Sequence, residues 1–354
     1  MAALIPPTDI ALVSLGTTPG LRRADDALAQ MMREAGASCE IVPVEIGARA
    51  GRLRRHSAVT DLVEALAARR ASRGVSARAI VYSTVTAALL ARPRLPYAVR
   101  FDSPAALNRP GAAGAWQRAR ERRVLRAARL LVPWGEAAAR AVPARVRAPG
   151  GPAVVCLPVP VERVGPAAER DIDAVAYAGY PRKRGLELLC RAFGEAAPAG
   201  ARLVVGGLDR ERGLDWLARH GVAEPAGIEW AGALPRADWL ALVARARVLV
   251  NASRWEDHGL TQLEALAAGT ALVTVPSPGA YEALAPARAL DERLVAREVS
   301  AAALVPALRA GLGLDAAQLA AYGERASELL APYGRDSVAA TLTAAVLPAL
   351  GIVR

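Results

Sequence analysis

Residues 246–275 read as one strand–loop–helix–strand unit, and no other stretch narrows the fold as much. The apolar run RVLVNAS (247–253) leads into the turn-forming DHGL (257–260). The helical pattern LEALAAG (263–269) follows, stops at a glycine, and gives way to the apolar run ALVTV (271–275). That order is a βαβ unit, whose two strands must run parallel. A loop that leaves the carboxyl end of a parallel strand and feeds a helix N-terminus is where phosphate-bearing ligands settle. Two carboxylates mark this place, Glu256 in the loop and Glu264 further along. With a rise of about 1.5 Å per residue, Glu264 falls roughly one to two turns into the helix. One carboxylate can face a ligand at the helix mouth while the other reaches back along it.

The same alternation runs through most of the chain. Strand patterns occur at Ile10–Leu15, Cys39–Val44, Ala79–Tyr82, Ala98–Phe101 and Leu130–Val132, with helical patterns at Arg22–Ala35, Val59–Arg69 and Ala115–Ala128. The stretch Pro158–Pro166 breaks the pattern with proline, glycine and charge and reads as a linker. Strands then resume at Ala174–Tyr177, Arg202–Val205, Ile228–Trp230 and Val248–Val250, and helices at Leu186–Phe193, Gly213–His220 and Asp238–Ala246. This predicts an α/β protein of two domains, 1–160 and 161–335, each a parallel sheet with helices on both faces. The length of 354 residues suits two domains of ordinary size. The apolar segment Val338–Leu347 reads as a terminal packing helix.

Charge is unevenly placed. The first 160 residues carry 24 Arg against 11 acidic residues, a balance of +13, whereas the rest is near neutral at −2. A field of this kind favours anionic partners, and an anionic membrane surface, an anionic acceptor and plain solubility all stay open. The Arg-rich stretches are Arg49–His56 and Arg118–Arg129; the second also has an apolar stripe, Val124, Leu125 and Leu131, that belongs to a core. No nucleic-acid motif accompanies the charge. The three cysteines are scattered, which suggests neither a disulfide framework nor a zinc site, and the expectation is no metal and a reducing cytoplasm. No signal peptide or convincing membrane span is read.

Four further places carry chemistry. Gly179-Tyr-Pro-Arg182-Lys183-Arg184-Gly185 puts three consecutive cations between a strand and a helix, and Lys183 is the only lysine in the chain. Cations there can neutralise charge developing on a leaving group. His258 lies in the loop beside Glu256. Gly16 opens a glycine-bearing βα loop that ends at Gly20; it is not GxGxxG, so nicotinamide binding has no support. Asp102 ends the strand Arg100-Phe101-Asp102, where a turn or helix-cap role stays open beside a functional one.

The string Asn251–Leu284, with Glu256, Glu264, Gly259 and the second pair Gly279 and Glu282, resembles the E-x7-E signature of retaining glycosyltransferases of family 4 (glycosyl transferases group 1), which have the GT-B fold. The resemblance implies two Rossmann-like parallel-sheet domains facing across a cleft, with a C-terminal helix within 336–354 crossing back to the first. It implies that Glu256 binds donor-sugar hydroxyls, that Glu264 binds the ribose, and that the amides of Gly259, Leu260 and Thr261 hold a diphosphate. Arg182, Lys183 and Arg184 would neutralise the leaving diphosphate, although Tyr180 stands where the family usually has arginine. His258 would contact phosphate or sugar, and Gly16 the donor diphosphate or the acceptor. Backbone near Gly232 and Leu234 would read the base, and Asp102 would face the acceptor hydroxyl. Phe101 replaces a usual histidine. The implied reaction is metal-independent, front-face transfer of a sugar from a nucleotide diphosphate sugar (UDP- or GDP-linked) with retention, without a further cofactor. A nucleotide-sugar epimerase of the same fold, a non-catalytic nucleotide-sugar-binding protein and a peripheral membrane protein remain as alternatives. A lipid-linked acceptor at the inner membrane surface is also compatible with the basic half.

Overall fold

The computed structural model describes residues 7–46, 57–162 and 169–352. The basic stretch Arg49–His56 and the linker residues Gly165 and Pro166 lie outside them. The chain divides into two compact units, residues 1–160 with 335–354, and residues 161–334.

The first unit is a six-stranded sheet. Its strands are β1 (Thr8–Ser14), β2 (Cys39–Pro43), β3 (Ala77–Tyr82), β4 (Tyr97–Phe101), β5 (Leu130–Pro133) and β6 (Ala153–Val154). They pair in the order β2-β1-β3-β4-β5-β6, and every pair is parallel. All four residues of β5 are buried, which is why it reads as a continuous apolar run rather than an alternating one; β4 is buried throughout as well, with Arg100 inside it. Helix Pro19–Glu34 begins with Thr18, whose hydroxyl accepts the Leu21 N–H at 3.2 Å, and proline follows at the first helical position. Its buried face, Leu28, Met31 and Met32, packs with Ile10 and Leu12 of β1 and with Val338, Leu342 and Val346 from the C-terminal segment. Arg335 donates to Glu34 at 2.7 and 2.8 Å, tying this segment to the same helix.

The second unit is a five-stranded parallel sheet: β7 (Ile172–Tyr177), β8 (Leu203–Gly206), β9 (Ile228–Gly232), β10 (Ala246–Asn251) and β11 (Ala271–Thr274), in the order β11-β10-β7-β8-β9. Its core runs through Phe193 and Leu189 of helix Leu186–Ala196, the strands, and Leu263 and Leu266 of helix Leu260–Ala267. Each fully buried Leu or Val contributes about 1.5–3 kcal/mol over an exposed one. Element ends lie within three residues of the sequence pattern. The two-residue strand β6 and the helices Ala301–Leu312 and Ala316–Leu329 carry no sequence expectation. Gly179–Gly185, expected as a turn, contains one helical turn, Pro181–Arg184.

Helix Ala115–Ala127 buries Gln117, Glu121, Val124 and Leu125 on one face, so its inward stripe begins with two polar residues. Glu121 accepts the N–H of Ala105, at the mouth of the short helix Ala105–Asn108, whose own cap residue Pro104 supplies no side-chain bond. Burial pushes the Glu121 carboxyl up from its ordinary 4.5 to about 7, against the downward pull of the Ala105 and Ala106 amides. The folded state therefore holds this proton more tightly than the unfolded chain. The resulting stability is complete below about pH 4.5 and is lost as pH rises through about 7. A shift of this size corresponds to about 3 kcal/mol. Glu121→Gln should flatten that dependence: between about pH 5 and pH 8 the urea midpoint of the wild type falls relative to the variant. Parallel pH profiles for the two proteins would show that Glu121 is not the titrating group.

Candidate functional site

Strand β10 ends at Asn251, whose side chain fixes the loop beyond it. Its amide donates to Thr274 Oγ1 at 3.0 Å and Tyr281 Oη at 3.3 Å, and its carbonyl oxygen accepts the Ser253 hydroxyl at 2.6 Å. Burial pushes the Tyr281 phenol up, so it stays a neutral partner in this network. Ser277 then donates to the Ser253 carbonyl at 2.7 Å. Two glycines let the chain pass. Gly279 has φ +116°, and a Cβ there would stand 2.0 Å from the Glu256 carbonyl oxygen. Gly259, the residue before helix Leu260–Ala267, has φ +90°, and its Cβ would stand 2.7 Å from the Tyr281 ring. Only glycine satisfies both the left-handed backbone and the contact.

Glu256 is 3% exposed. Its Oε1 accepts the Ser253 hydroxyl at 2.8 Å and the Gln262 amide at 3.1 Å, and it is also paired with the Arg184 guanidinium. A carboxylate this deep is tolerated because three donors converge on it. Next to it, Lys183 Nζ donates to Asp257 at 2.7 Å, and Asp257 also accepts the Trp255 indole N–H at 2.7 Å. Arg184 lies over the Tyr177 ring, 5.5 Å from its centroid. Backbone contacts seat the cationic turn on the loop: the Arg254 N–H donates to the Lys183 carbonyl at 2.8 Å. Gly185 has φ +61°, and a Cβ there would come 2.2 Å from the Ala252 carbonyl oxygen. The turn 181–185 and the loop 252–257 are thus one structural piece despite some seventy intervening residues.

Glu264, also 3% exposed, occupies the second turn of helix Leu260–Ala267 and pairs with Arg236. Arg236 begins helix Arg236–Arg245 just after Gly232 and Leu234, and it lies 3.8 Å from Glu162. Gly232 has φ +65°, and its carbonyl accepts the Gly207 N–H at 2.6 Å. His258 is buried in the loop, and its carbonyl accepts the Glu282 N–H at 3.0 Å. Arg182 is exposed. The first-turn N–H groups of helix Leu260–Ala267, among them those of Leu260 and Thr261, have no intrahelical acceptor and carry the positive end of the helix dipole. A cavity of about 10 Å³ between Arg184, Asn251, Thr261 and Gln262 has room for roughly one water.

The structure therefore gathers Lys183, Arg184, Glu256, His258, Gly259, Leu260, Thr261 and Glu264 on one end of the second sheet, at the carboxyl ends of β7 and β10. Gly16 and Asp102 belong to the first unit. Gly16 follows β1 with φ +52°, and its carbonyl accepts Arg22 at 2.6 Å. Asp102 follows β4 and accepts the Ser103 N–H at 2.8 Å. Sequence reasoning assigned no role to four residues of the second site: Arg236, Asp257, Ser253 and Gln262. Asp257 alone had a signal, being the residue between Glu256 and His258. Among the described residues no group of three His, Cys, Asp or Glu side chains could hold a metal ion, and no helix is long and apolar enough to cross a membrane.

Residues 172–313 match the family model of glycosyl transferases group 1. In fold, the chain is similar to sucrose-phosphate synthase from Thermosynechococcus elongatus, with a TM-score of 0.73 and 17% identity over 98% of this chain and 100% of that one. It is also similar to WaaG, a glycosyltransferase involved in lipopolysaccharide biosynthesis (TM-score 0.67, 15% identity, 94% and 98% covered). HepE from Anabaena, solved with UDP-glucose, scores 0.66 at 13% identity, with 96% and 99% covered. No curated protein matches the chain in sequence. The fold is GT-B.

Gly259→Ala is expected to cost about 1–3 kcal/mol, because the left-handed backbone and the Tyr281 contact add. Gly232→Ala, whose Cβ meets nothing within 4 Å, carries only the backbone penalty of about 1–2 kcal/mol. Thermal unfolding of both variants checks this; a Gly259→Ala protein melting above Gly232→Ala would contradict it.

Proposed function

We propose that this chain, whose residues 172–313 match the family model of glycosyl transferases group 1, transfers a sugar from a nucleoside diphosphate sugar to an acceptor hydroxyl with retention and without a metal. The observation that carries the reading is the fusion of the cationic turn with the paired-acid helix mouth, in which Arg184 meets Glu256 and Lys183 meets Asp257. Two cations and a helix N-terminus at one point form a receptor for a diphosphate. They supply the neutralisation that a metal gives elsewhere, and they act most strongly as charge accumulates on the leaving group.

In the proposed step the bond between the anomeric carbon and the diphosphate oxygen breaks. The acceptor oxygen bonds to that carbon on the same face, and its proton passes to the departing diphosphate oxygen. Lys183 and Arg184 hold the diphosphate, together with the amides of Gly259, Leu260 and Thr261, and Arg182 adds to the local positive field. Glu256 accepts hydrogen bonds from donor-sugar hydroxyls, and His258 borders the same ligand. Glu264 accepts the ribose hydroxyls, with Arg236 orienting it, and backbone near Gly232 and Leu234 faces the base. Asp102, at the end of β4, is assigned to the acceptor side. Binding the donor requires Lys183 to exchange Asp257 for phosphate, so part of the charge attraction offsets a pair already made.

The test uses conservative variants, because Glu256 is buried against Arg184 and outright removal would leave an unpaired buried cation, costing about 3–5 kcal/mol. Glu256→Gln should lower transfer by about a hundredfold or more with little loss of UDP affinity. Glu264→Gln should weaken nucleotide binding by about tenfold, and Lys183→Ala should lower both. Product anomers are read by NMR, and the rate is measured with and without a chelator. An inverted product removes retention, a chelator-sensitive rate removes metal independence, and near-wild-type turnover of Glu256→Gln removes the role of that residue.

A further inference from the structure

The cationic turn and the loop after β10 are joined by one more ion pair, made by groups that have no part in the ligand contacts above. Glu187, the second residue of helix Leu186–Ala196, follows Gly185 by two positions and is buried. Its Oε1 accepts Arg254 Nε at 3.2 Å and also Arg254 Nη2. Its Oε2 accepts the Trp216 indole N–H at 3.0 Å. Trp216 is itself held: the His220 ring stacks on it with centroids 4.3 Å apart, and the Arg219 guanidinium lies 5.6 Å from its centre. Burial pushes the Glu187 carboxyl up, but the bonds from Arg254 and Trp216 prevail and hold it below its ordinary range, so Arg254 meets a carboxylate.

Arg254 therefore grips the chain on both sides of Gly185. Its own N–H donates to the Lys183 carbonyl at 2.8 Å, and its guanidinium reaches Glu187. Among the described residues, the other ion pairs between turn and loop are Lys183 with Asp257 and Arg184 with Glu256. Those two pairs use the same cations that the proposed diphosphate claims, and Glu256 is the acid given to the sugar. A donor that enters loosens them just when the turn must hold still.

We infer that Glu187 and Arg254 are positioning residues, whose pair keeps Lys183 and Arg184 in register with the mouth of helix Leu260–Ala267 while the diphosphate displaces the other ties. The inference rests on the donor-site reading above. Neither residue is claimed by the ligand, so their pair persists when the others exchange. The Arg254 side chain is 48% exposed, and a pair of that exposure adds little to global stability. For the ligand the pair matters more, because a displacement of about 1 Å at a binding group weakens its action steeply. Trp216 fixes the second carboxylate oxygen, so Glu187 offers Arg254 one orientation.

The experiment titrates UDP and UMP, and GDP and GMP, into the full chain by calorimetry, with melting temperatures taken alongside. For the base that binds, the ratio of diphosphate to monophosphate affinity isolates what the cationic turn contributes. The wild type should bind the diphosphate about tenfold more tightly or better. Arg254→Ala and Glu187→Gln should each cut that ratio severalfold while monophosphate affinity and melting temperature stay near the wild type. In Glu187→Gln the new amide oxygen still accepts the Trp216 N–H, so the packing around it is kept. Arg254→Lys should restore part of the ratio. The double variant should be no worse than the worse single one, because the two residues act as one pair. An unchanged ratio in Arg254→Ala, equal losses for both nucleotides, or additive losses in the double variant overturns the inference. A wild type with no preference for either diphosphate overturns the donor-site reading instead, and it does so before any variant is made.

Discussion

The seating of the cationic turn on the loop after β10 is the constraint on which the second unit's site depends. It is made by backbone: the Arg254 N–H reaches the Lys183 carbonyl, and Gly185 lies against the Ala252 carbonyl with no room for a side chain. Once that contact exists, Arg184 has one place to go, over Tyr177 and onto Glu256. Taking both charges out of water costs several kcal/mol, and the pair persists because Ser253 and Gln262 complete the carboxylate's shell. A hydroxyl or amide donor can be exchanged for a ligand hydroxyl at small cost. On the proposed reading, this makes a carboxylate fixed in place by exchangeable donors a suitable partner for a sugar.

Burial of ligands by backbone amides needs the same economy of space. Gly259 and Gly279 bring the chain against Tyr281 and Glu256 so closely that a methyl group would collide. On the proposed reading the helix N-terminus faces the diphosphate, and its field needs no rearrangement when charge develops there.

The parallel sheets were legible because buried strands such as β5 and β11 leave mostly apolar runs, and glycines such as Gly36 and Gly269 punctuate them. What failed to show has physical reasons. β6 is two residues at a sheet edge with both side chains exposed, so it carries no hydrophobic pattern. Helix Ala301–Leu312 contains Pro306, a sign that ordinarily argues against a helix interior. In the site, the motif acids stood out because their spacing is local. Arg236 did not, since its contact with Glu264 spans 28 residues and leaves no periodic trace. Helix Ala115–Ala127 was read by its apolar residues, whereas half of its buried stripe is Gln117 and Glu121.

Composition and local chemistry part company most clearly in the first unit. Net charge governs the field at a distance, where salt screens it within about 8 Å at physiological ionic strength. Recognition is decided inside that distance, by which atoms line a pocket. Arg100 makes the point from the opposite side. It is fully buried, stacked 4.7 Å from the Trp134 ring, and burial pulls its guanidinium down to about 10, so a formal charge of the strongly basic half contributes nothing to its surface. Arg109 likewise is spent on Asp61.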